Sequence, residues 1–236
     1  MSDSQKALFL FDIDGTLISP GKTARSMFVE IVKELTGKEV TLEVHQVAGF
    51  TDPKILENML QRAGLNKNEI HQAMEKFFLI YYERLENRYN SSEDKFIFSD
   101  ISENLPALND EDNIYLGLVT GNMERAAMIK LSPFGLNKYF DIGAFASDKA
   151  DRNELPPIAV ARAEALWEKK FENDEVFVVG DTIYDVECAV HNSYRAIGIA
   201  RRNGEKEMEQ LKNAGASCVY KSLPDISRLM AIANLN

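Results

Sequence analysis

Two aspartates, Asp12 and Asp14, stand two positions apart directly after the apolar run at residues 7–11. Gly15 and Thr16 complete this segment. Turn formation explains an Asp-Gly pair, because both residues favour tight turns, but it does not explain a second aspartate that adjoins a buried strand. The spacing therefore indicates two acids presented together on a tight turn.

The ends of two later apolar runs also carry polar residues: Thr120, Gly121 and Asn122 after residues 114–119, and Asp181 and Asp185 after residues 176–179. Ligands of open α/β sheets bind beyond the carboxyl ends of the strands, so we expect these residues to meet the first two aspartates at one sheet edge. Crowded carboxylates repel one another, and a hard divalent cation relieves that repulsion. Oxygen donors without His or Cys favour Mg²⁺.

Such an edge is suited to phosphoryl transfer. An ionised aspartate beside Mg²⁺ can attack phosphorus as a nucleophile. A second carboxyl group can protonate the leaving oxygen and then activate water. Threonine and a basic side chain can bind the phosphoryl oxygens.

The elements that must position these residues alternate along the chain. Short apolar runs predict strands at 7–11, 114–119 and 176–179, with weaker ones at 196–200 and 218–220. Helical patterns follow at 123–131, 158–167, 186–190 and 205–214. Strand–helix alternation of this kind is typical of an α/β fold with a doubly wound, mainly parallel sheet.

Residues 23–89 break the alternation, because three helical patterns follow one another without a strand between them. The second of these helices is predicted to have Asp52 as its N-cap and Pro53 at its first position. Flanking segments 19–21 and 90–94 have the composition of hinges. We therefore expect a core domain of residues 1–18 and 96–236 with an inserted helical cap domain of residues 19–95.

Composition excludes several classes of protein. The 236 residues hold 27 basic and 37 acidic side chains, a formal charge of −10, which disfavours a nucleic-acid polymer as partner but allows a small anionic substrate. No apolar run approaches the roughly 18 residues of a membrane helix. Two cysteines cannot form a disulfide framework, so we expect a reduced, cytoplasmic protein. The oligomeric state is left open.

The segments at 12–16, 120–122 and 180–185 together resemble the haloacid dehalogenase-like (HAD) hydrolase superfamily, in its phosphatase branch with a helical cap of the phosphoglycolate phosphatase or β-phosphoglucomutase type. The family motif D-x-D-G-T matches residues 12–16 without departure. This resemblance implies a Rossmann-like core and Mg²⁺ as cofactor. It also implies that Asp12 is the nucleophile, and that Asp14 is the general acid and base and binds the metal through its carbonyl.

The resemblance also implies roles for the two later segments. The hydroxyl of Thr120 would hold the phosphoryl group, helped by the amide of Gly121 or Asn122. Asp181 would bind Mg²⁺, and Asp185 would support it, so the implied metal set is Asp12, Asp14, Asp181 and Asp185.

Two segments depart from the family pattern. Where the family has a lysine followed by prolines, alignment on Pro157 places Arg152, and Lys149 is the rival cation. We expect Arg152 to act in catalysis, because its fork can bind oxyanions in a bidentate manner. In the cap, a loop that reads G-R-T-D in related enzymes has Phe50 in place of Arg, and Phe50 and Thr51 are candidates for substrate contact.

The sequence thus predicts a Mg²⁺-dependent phosphomonoester hydrolase that acts on a small phosphorylated metabolite through an aspartyl-phosphate. A phosphomutase of the same family is the alternative with the same core chemistry. A non-enzymatic phospho-aspartate receiver or binding protein is the alternative from another class, but it would not explain the helical insert. A dehalogenase and a phosphonatase are disfavoured by the presence of Asp14.

Overall fold

The computed structural model describes residues 5–202 and 204–235. The strands are β1 (Ala7–Phe11), β2 (Ile18–Ser19), β3 (Phe96–Ile97), β4 (Ile114–Val119), β5 (Ile142–Ala144), β6 (Val176–Gly180), β7 (Arg195–Ile199) and β8 (Cys218–Tyr220). The helices of at least seven residues are α1 (Thr23–Thr36), α2 (Asp52–Arg62), α3 (Lys67–Tyr89), α4 (Ser99–Asn109), α5 (Glu124–Leu131), α6 (Leu155–Trp167), α7 (Ile183–His191), α8 (Gly204–Asn213) and α9 (Ile226–Ile232).

Six of these strands form one parallel sheet with the order β5-β4-β1-β6-β7-β8. The central strand β1 pairs with both β4 and β6, so that Phe9 lies opposite Leu116 on one side and Phe177 on the other. The chain builds the sheet outward from β1 in both directions, which makes the carboxyl end of β1 the switch point where ligands bind. The predicted doubly wound α/β fold class is confirmed, although β5 was not predicted.

Both faces of the sheet are covered. Along β1, Phe9 and Phe11 point into one apolar core and Leu8 and Leu10 into the other, as the two-residue period of a strand requires. Helices α4, α5 and α9 cover the first face, and α6, α7 and α8 cover the second. This two-sided burial is the reason why the strand reads as a continuous apolar run.

Helices α1, α2 and α3 enclose a third apolar core, in which Phe28, Phe77 and Tyr81 pack ring against ring. The same core includes Ala126 of α5, so the helical insert rests on that helix. The segment that enters the helical insert and the segment that leaves it are bonded to each other. β2 pairs antiparallel with β3, and the N–H of Lys22 donates to Asp94 Oδ2 at 2.7 Å.

Helix α2 begins one residue earlier than predicted. Thr51, in extended conformation, is the N-cap, Asp52 is the first helical residue and Pro53 the second. The prediction of Asp52 as N-cap was wrong because its carboxylate accepts the N–H of Met123 in the core, at 2.9 Å, and does not bind its own helix. Within the described ranges, no helix combines the length and apolar character needed to cross a bilayer.

Candidate active site

Three strand ends bring the predicted side chains together at the switch point. Asp12, Thr120 and Asp181 directly follow β1, β4 and β6, and all three are buried. Sheet hydrogen bonds continue past the strands, from the N–H of Asp12 to Val179 O at 2.9 Å and from the N–H of Thr120 to Ala144 O at 3.1 Å. The backbone that carries these side chains is therefore as fixed as the sheet.

The turn after Asp14 packs directly on a second strand end. Gly15 has φ of +96°, and a Cβ atom at this position would collide with the carboxylate of Asp181. Only glycine adopts this positive φ at low cost and also leaves room for the Asp181 carboxylate. The Asp-Gly pair thus brings the 12–16 segment against the β6 end.

Asp12, Asp181 and Asp185 form a buried cluster in which one oxygen of each lies within 4.8 Å of the others. Burial, followed by the negative charge of Asp185, raises the pKa of Asp12 to about 7, although Arg152 opposes the shift. Among the described residues, Asp181 Oδ1 accepts no hydrogen bond, and Asp181 Oδ2 has an ion pair with Arg202. A buried carboxylate oxygen without a hydrogen-bond donor is unusual, and a bound cation would satisfy it.

These three carboxylates fit a hard divalent cation. They offer oxygen atoms alone, at separations that one ion can span, and the orphaned Asp181 Oδ1 would gain a partner. The side chain of Asp14 lies outside the cluster, and its Oδ2 accepts hydrogen bonds from Lys130 and Asn122. Its predicted contribution through the backbone carbonyl stays a prediction.

Arg152 enters the carboxylate cluster. Its Nη2 donates to Asp12 Oδ1 at 2.8 Å and to Asp185 Oδ1. Burial opposes the charge of Arg152, but the carboxylates of Asp185 and Asp12 raise its pKa, so the guanidinium stays protonated. The rival Lys149 is half-exposed and pairs with Glu154 at 3.0 Å. The structure thus brings Arg152, and not Lys149, to Asp12.

Lys130 is a further residue of the site, one that the sequence motifs do not indicate. Its buried Nζ donates to Asp14 Oδ2 and to Asn122 Oδ1, each at 2.5 Å. The Nδ2 of Asn122 donates in turn to Thr120 Oγ1 at 2.8 Å and to Asp14 Oδ2 at 3.2 Å. Burial opposes the lysine's charge, but Asp14 and Asp52 raise its pKa. The available signal was its place on the buried face of α5, with Ala126, Ala127 and Leu131.

The cap loop, residues 49–52, is bonded to the core at several points. Asp52 donates its N–H to Gly121 O at 2.7 Å and accepts from the N–H of Met123. Thr51 donates its hydroxyl to Ala150 O at 3.0 Å, and Gly49 O accepts from Arg152 Nη1 at 3.3 Å. Burial raises the pKa of Asp52 to about 6, with Lys130 opposing. These bonds hold the cap over the strand ends.

A cavity of about 650 Å³ lies between the cap and the strand ends. The predicted residues that line it are Asp12, Asp14, Thr120, Gly121, Asn122, Arg152 and Phe50. Thr51 is buried and bonded to Ala150 and does not line the cavity, so the structure does not place it for substrate contact. Asp181 and Asp185 do not line the cavity themselves but belong to the buried cluster with Asp12.

Comparisons with known proteins agree with this arrangement. The family model described as haloacid dehalogenase-like hydrolase matches residues 9–199. A protein of Caldanaerobacter subterraneus subsp. tengcongensis, provisionally named pyrophosphatase PpaX, is 30% identical over 80% of this chain and 80% of its own. The pyrophosphatase PpaX of Halalkalibacterium halodurans is 24% identical over 94% of this chain and 96% of its own.

A solved structure from Haemophilus somnus, described as a predicted phosphoglycolate phosphatase, superposes with a TM-score of 0.70. It is 16% identical and covers 97% of this chain and 100% of its own. At this identity the likeness is one of fold. It extends over the sheet and the helical insert together.

Proposed function

We propose the function from one premise, that the chain belongs to the haloacid dehalogenase-like hydrolase family and is a phosphatase of that family. The proposed reaction is the Mg²⁺-dependent hydrolysis of a small phosphorylated metabolite through an aspartyl-phosphate. The observation that carries it is the hydrogen bonding of the Asp12 carboxylate: Oδ1 accepts a hydrogen bond from Arg152 Nη2 at 2.8 Å, and among the described residues Oδ2 accepts none. This leaves Oδ2, on a residue that lines the cavity, available to attack phosphorus.

In the first step, Asp12 Oδ2 forms a bond to phosphorus while the bond to the leaving oxygen breaks. Asp14 also lines the cavity, two residues beyond the nucleophile, and gives a proton to the leaving oxygen. In the second step, Asp14 takes a proton from water as the water oxygen attacks phosphorus. The aspartyl-phosphate bond breaks, and inorganic phosphate and free Asp12 result.

Four groups would stabilise the phosphoryl oxygens and the charge that develops on them. The hydroxyl of Thr120 and the side chain of Asn122 line the cavity beside Asp14. Lys130 adds a buried positive charge, and Arg152, whose side chain is 10% exposed, adds a second. Such preorganised donors are worth most where water is excluded.

Asp12, Asp181 and Asp185, with the carbonyl of Asp14, would hold Mg²⁺. The bound ion would neutralise the crowded carboxylates and polarise the phosphoryl oxygens. The buried cluster and the orphaned oxygen of Asp181 support this assignment.

We further propose that residues 19–95 form the cap and residues 1–18 and 96–236 the core. The separate apolar core of α1 to α3 and the paired crossings at β2 and β3 support this division. The cap would exclude bulk water and select the leaving group.

Because two relatives are named pyrophosphatase, a phosphoanhydride belongs among the substrates to be tried, beside phosphomonoesters. Both cysteines are free, which supports a reducing, cytoplasmic setting.

The test is hydrolysis of p-nitrophenyl phosphate by the purified protein. We expect activity with Mg²⁺ and its loss with EDTA. Asp12→Asn should abolish turnover, whereas the exposed Asp112→Asn, a matched change of charge, should not. Calorimetric titration with Mg²⁺ should show tighter binding to the native protein than to Asp181→Asn. Full activity in Asp12→Asn would refute the nucleophile, and a phosphoprotein stable for hours would favour the receiver.

A further inference from the structure

The cavity is lined by more cationic side chains than are bonded to carboxylates. Six cationic side chains line it, and four of these are bonded to carboxylates: Lys130, Arg152, Arg201 and Arg202. The two that remain are Lys22, which is exposed, and Arg25, which is half-buried on the first turn of α1.

Arg25 is exceptional among the arginines. Within residues 5–202 and 204–235, its guanidinium makes no hydrogen bond and no ion pair, whereas each of the other ten arginines has at least one such partner. Its own helix cannot neutralise it, since the residues three and four positions away are Lys22, Gly21, Phe28 and Val29. The positive charge is therefore open to a ligand.

Asp94, an acidic residue that lines the cavity, already accepts hydrogen bonds on both carboxylate oxygens. Asp94 Oδ2 accepts the N–H of Lys22 at 2.7 Å, and Asp94 Oδ1 accepts the hydroxyl of Ser92 at 2.5 Å. Each of the other three carboxylates of the wall has a hydrogen-bond donor on one oxygen: Arg152 for Asp12, Lys130 for Asp14 and the N–H of Met123 for Asp52.

Much of the cavity wall that Arg25 shares is apolar. Phe28 lies one turn further along α1, and Leu42, Val47, Phe96 and Phe98 line the same cavity. A cation in such surroundings attracts an anion more strongly than a cation in water does, because the effective dielectric constant is lower. Arginine adds a planar fork that matches carboxylate and phosphate oxygens.

We propose that Arg25, together with the exposed Lys22 of the same cavity wall, binds a second anionic group on the substrate, so that the preferred leaving group is itself negatively charged, as a carboxylate or a phosphate. This inference rests on the proposed function, since it takes Asp12 as the site of the transferred phosphoryl group. It makes Arg25 a specificity-determining residue that touches substrate and takes no part in the bond-breaking steps.

The test compares substrates that differ in the charge of the leaving group. 2-Phosphoglycolate carries a carboxylate and pyrophosphate a phosphate, while 2-hydroxyethyl phosphate is the neutral counterpart. We expect Arg25→Gln to lower kcat/KM for the preferred anionic substrate by about 10- to 100-fold, the range of a charge-assisted hydrogen bond, chiefly through KM. For the neutral substrate the change should be less than about twofold, as expected of a surface substitution.

Two further variants sharpen the result. Arg25→Lys keeps the charge and should restore part of the loss. Lys33→Gln removes one positive charge from the same helix at an exposed position and should leave every substrate unaffected. The anionic substrate that is more sensitive to Arg25 identifies which group, carboxylate or phosphate, the subsite takes. Equal losses on charged and neutral substrates would overturn the proposal.

A binding measurement separates this inference from the proposed chemistry. Calorimetry at one fixed Mg²⁺ concentration compares methylenediphosphonate, which is not hydrolysed, with methylphosphonate, which has a single anionic group. The native protein should prefer the diphosphonate, and Arg25→Gln should remove that preference. If p-nitrophenyl phosphate is not hydrolysed but the preference depends on Arg25, the proposed function fails and the subsite stands. If hydrolysis occurs and the preference survives in Arg25→Gln, the subsite is refuted.

Discussion

Nη2 of Arg152 lies 2.8 Å from Oδ1 of Asp12 and donates at the same time to Asp185, so that one guanidinium nitrogen bridges two buried carboxylates. This bond fixes the rotation of the Asp12 side chain and leaves Oδ2 as its free oxygen. It also offsets part of the repulsion between Asp12 and Asp185, which otherwise helps to raise the pKa of Asp12.

Replacing Arg152 tests this bridge. Arg152→Ala should lower kcat/KM by about 100-fold or more, the cost of losing one preorganised donor to the transition state. Lys149→Ala removes a cation three residues away that forms only a surface pair with Glu154, and it should change activity less than about twofold. Steady-state kinetics on p-nitrophenyl phosphate decides between them, and the reverse order of effects would exchange their roles.

Lys130 is expected to matter for stability as well as for activity. Lys130→Met should lower the free energy of unfolding by about 3–5 kcal/mol, because it leaves the buried oxygen of Asn122 and the carboxylates of Asp14 and Asp52 without their cation. Urea denaturation measures the change. Lys76→Met, at an exposed position of α3, is the matched control and should be nearly neutral. A similar loss in both variants would contradict the assignment.

Gly121 allows the cap loop to approach the core. A Cβ atom there would lie 2.5 Å from Phe50 O, which is backbone and cannot turn away. We expect Gly121→Ala to push the cap loop outward, break the bond from Asp52 N–H to Gly121 O, and lower kcat/KM by up to about 100-fold. The free energy of unfolding should fall far less than in Lys130→Met. Unchanged kinetics would show that this close approach is unnecessary for turnover.

Asp52 predicts a pH dependence of stability. Burial raises its pKa in the folded protein to about 6, above the value of about 3.9 in an unfolded chain. The unfolded state therefore loses its proton first, and stability falls as pH rises from about 4 to about 6. Asp52→Asn keeps an acceptor for Met123 N–H and removes the ionisation. Its unfolding free energy relative to the native protein should rise across this window, by roughly 3 kcal/mol, and a difference independent of pH would refute the cause.

The sequence was most informative where one local rule decides the structure. Continuous apolar runs predicted β1, β4 and β6 because strands covered on both faces have no polar side to interrupt the pattern. The turn at Asp14 and Gly15 was predicted for a similar reason, since its chemistry is complete within a few residues. With the strand ends known, the meeting of Asp12, Asp181 and Asp185 follows from the shared direction of parallel strands.

What the sequence could not predict depends on distant partners or on very short elements. Strand β5 has three residues with Gly143 at its centre, too few for a period to be read. Lys130 looks like an ordinary helical lysine until Asp14, 116 residues away, is brought beside it. Thr51 has a hydroxyl that could bind a ligand, but this hydroxyl donates its hydrogen bond to Ala150 O.

Three of the four core atoms that bind the cap loop are main-chain atoms, the carbonyl oxygens of Gly121 and Ala150 and the amide of Met123, and the fourth is Arg152 Nη1. Amides and carbonyls are present whatever the side chain, so mutational drift at positions 123 and 150 leaves these anchor points in place. Residues elsewhere on the cap, such as Arg25 and Phe28, are then free to diversify without loosening the joint. The range of substrates and the attachment of the cap to the core can thus evolve independently in this protein.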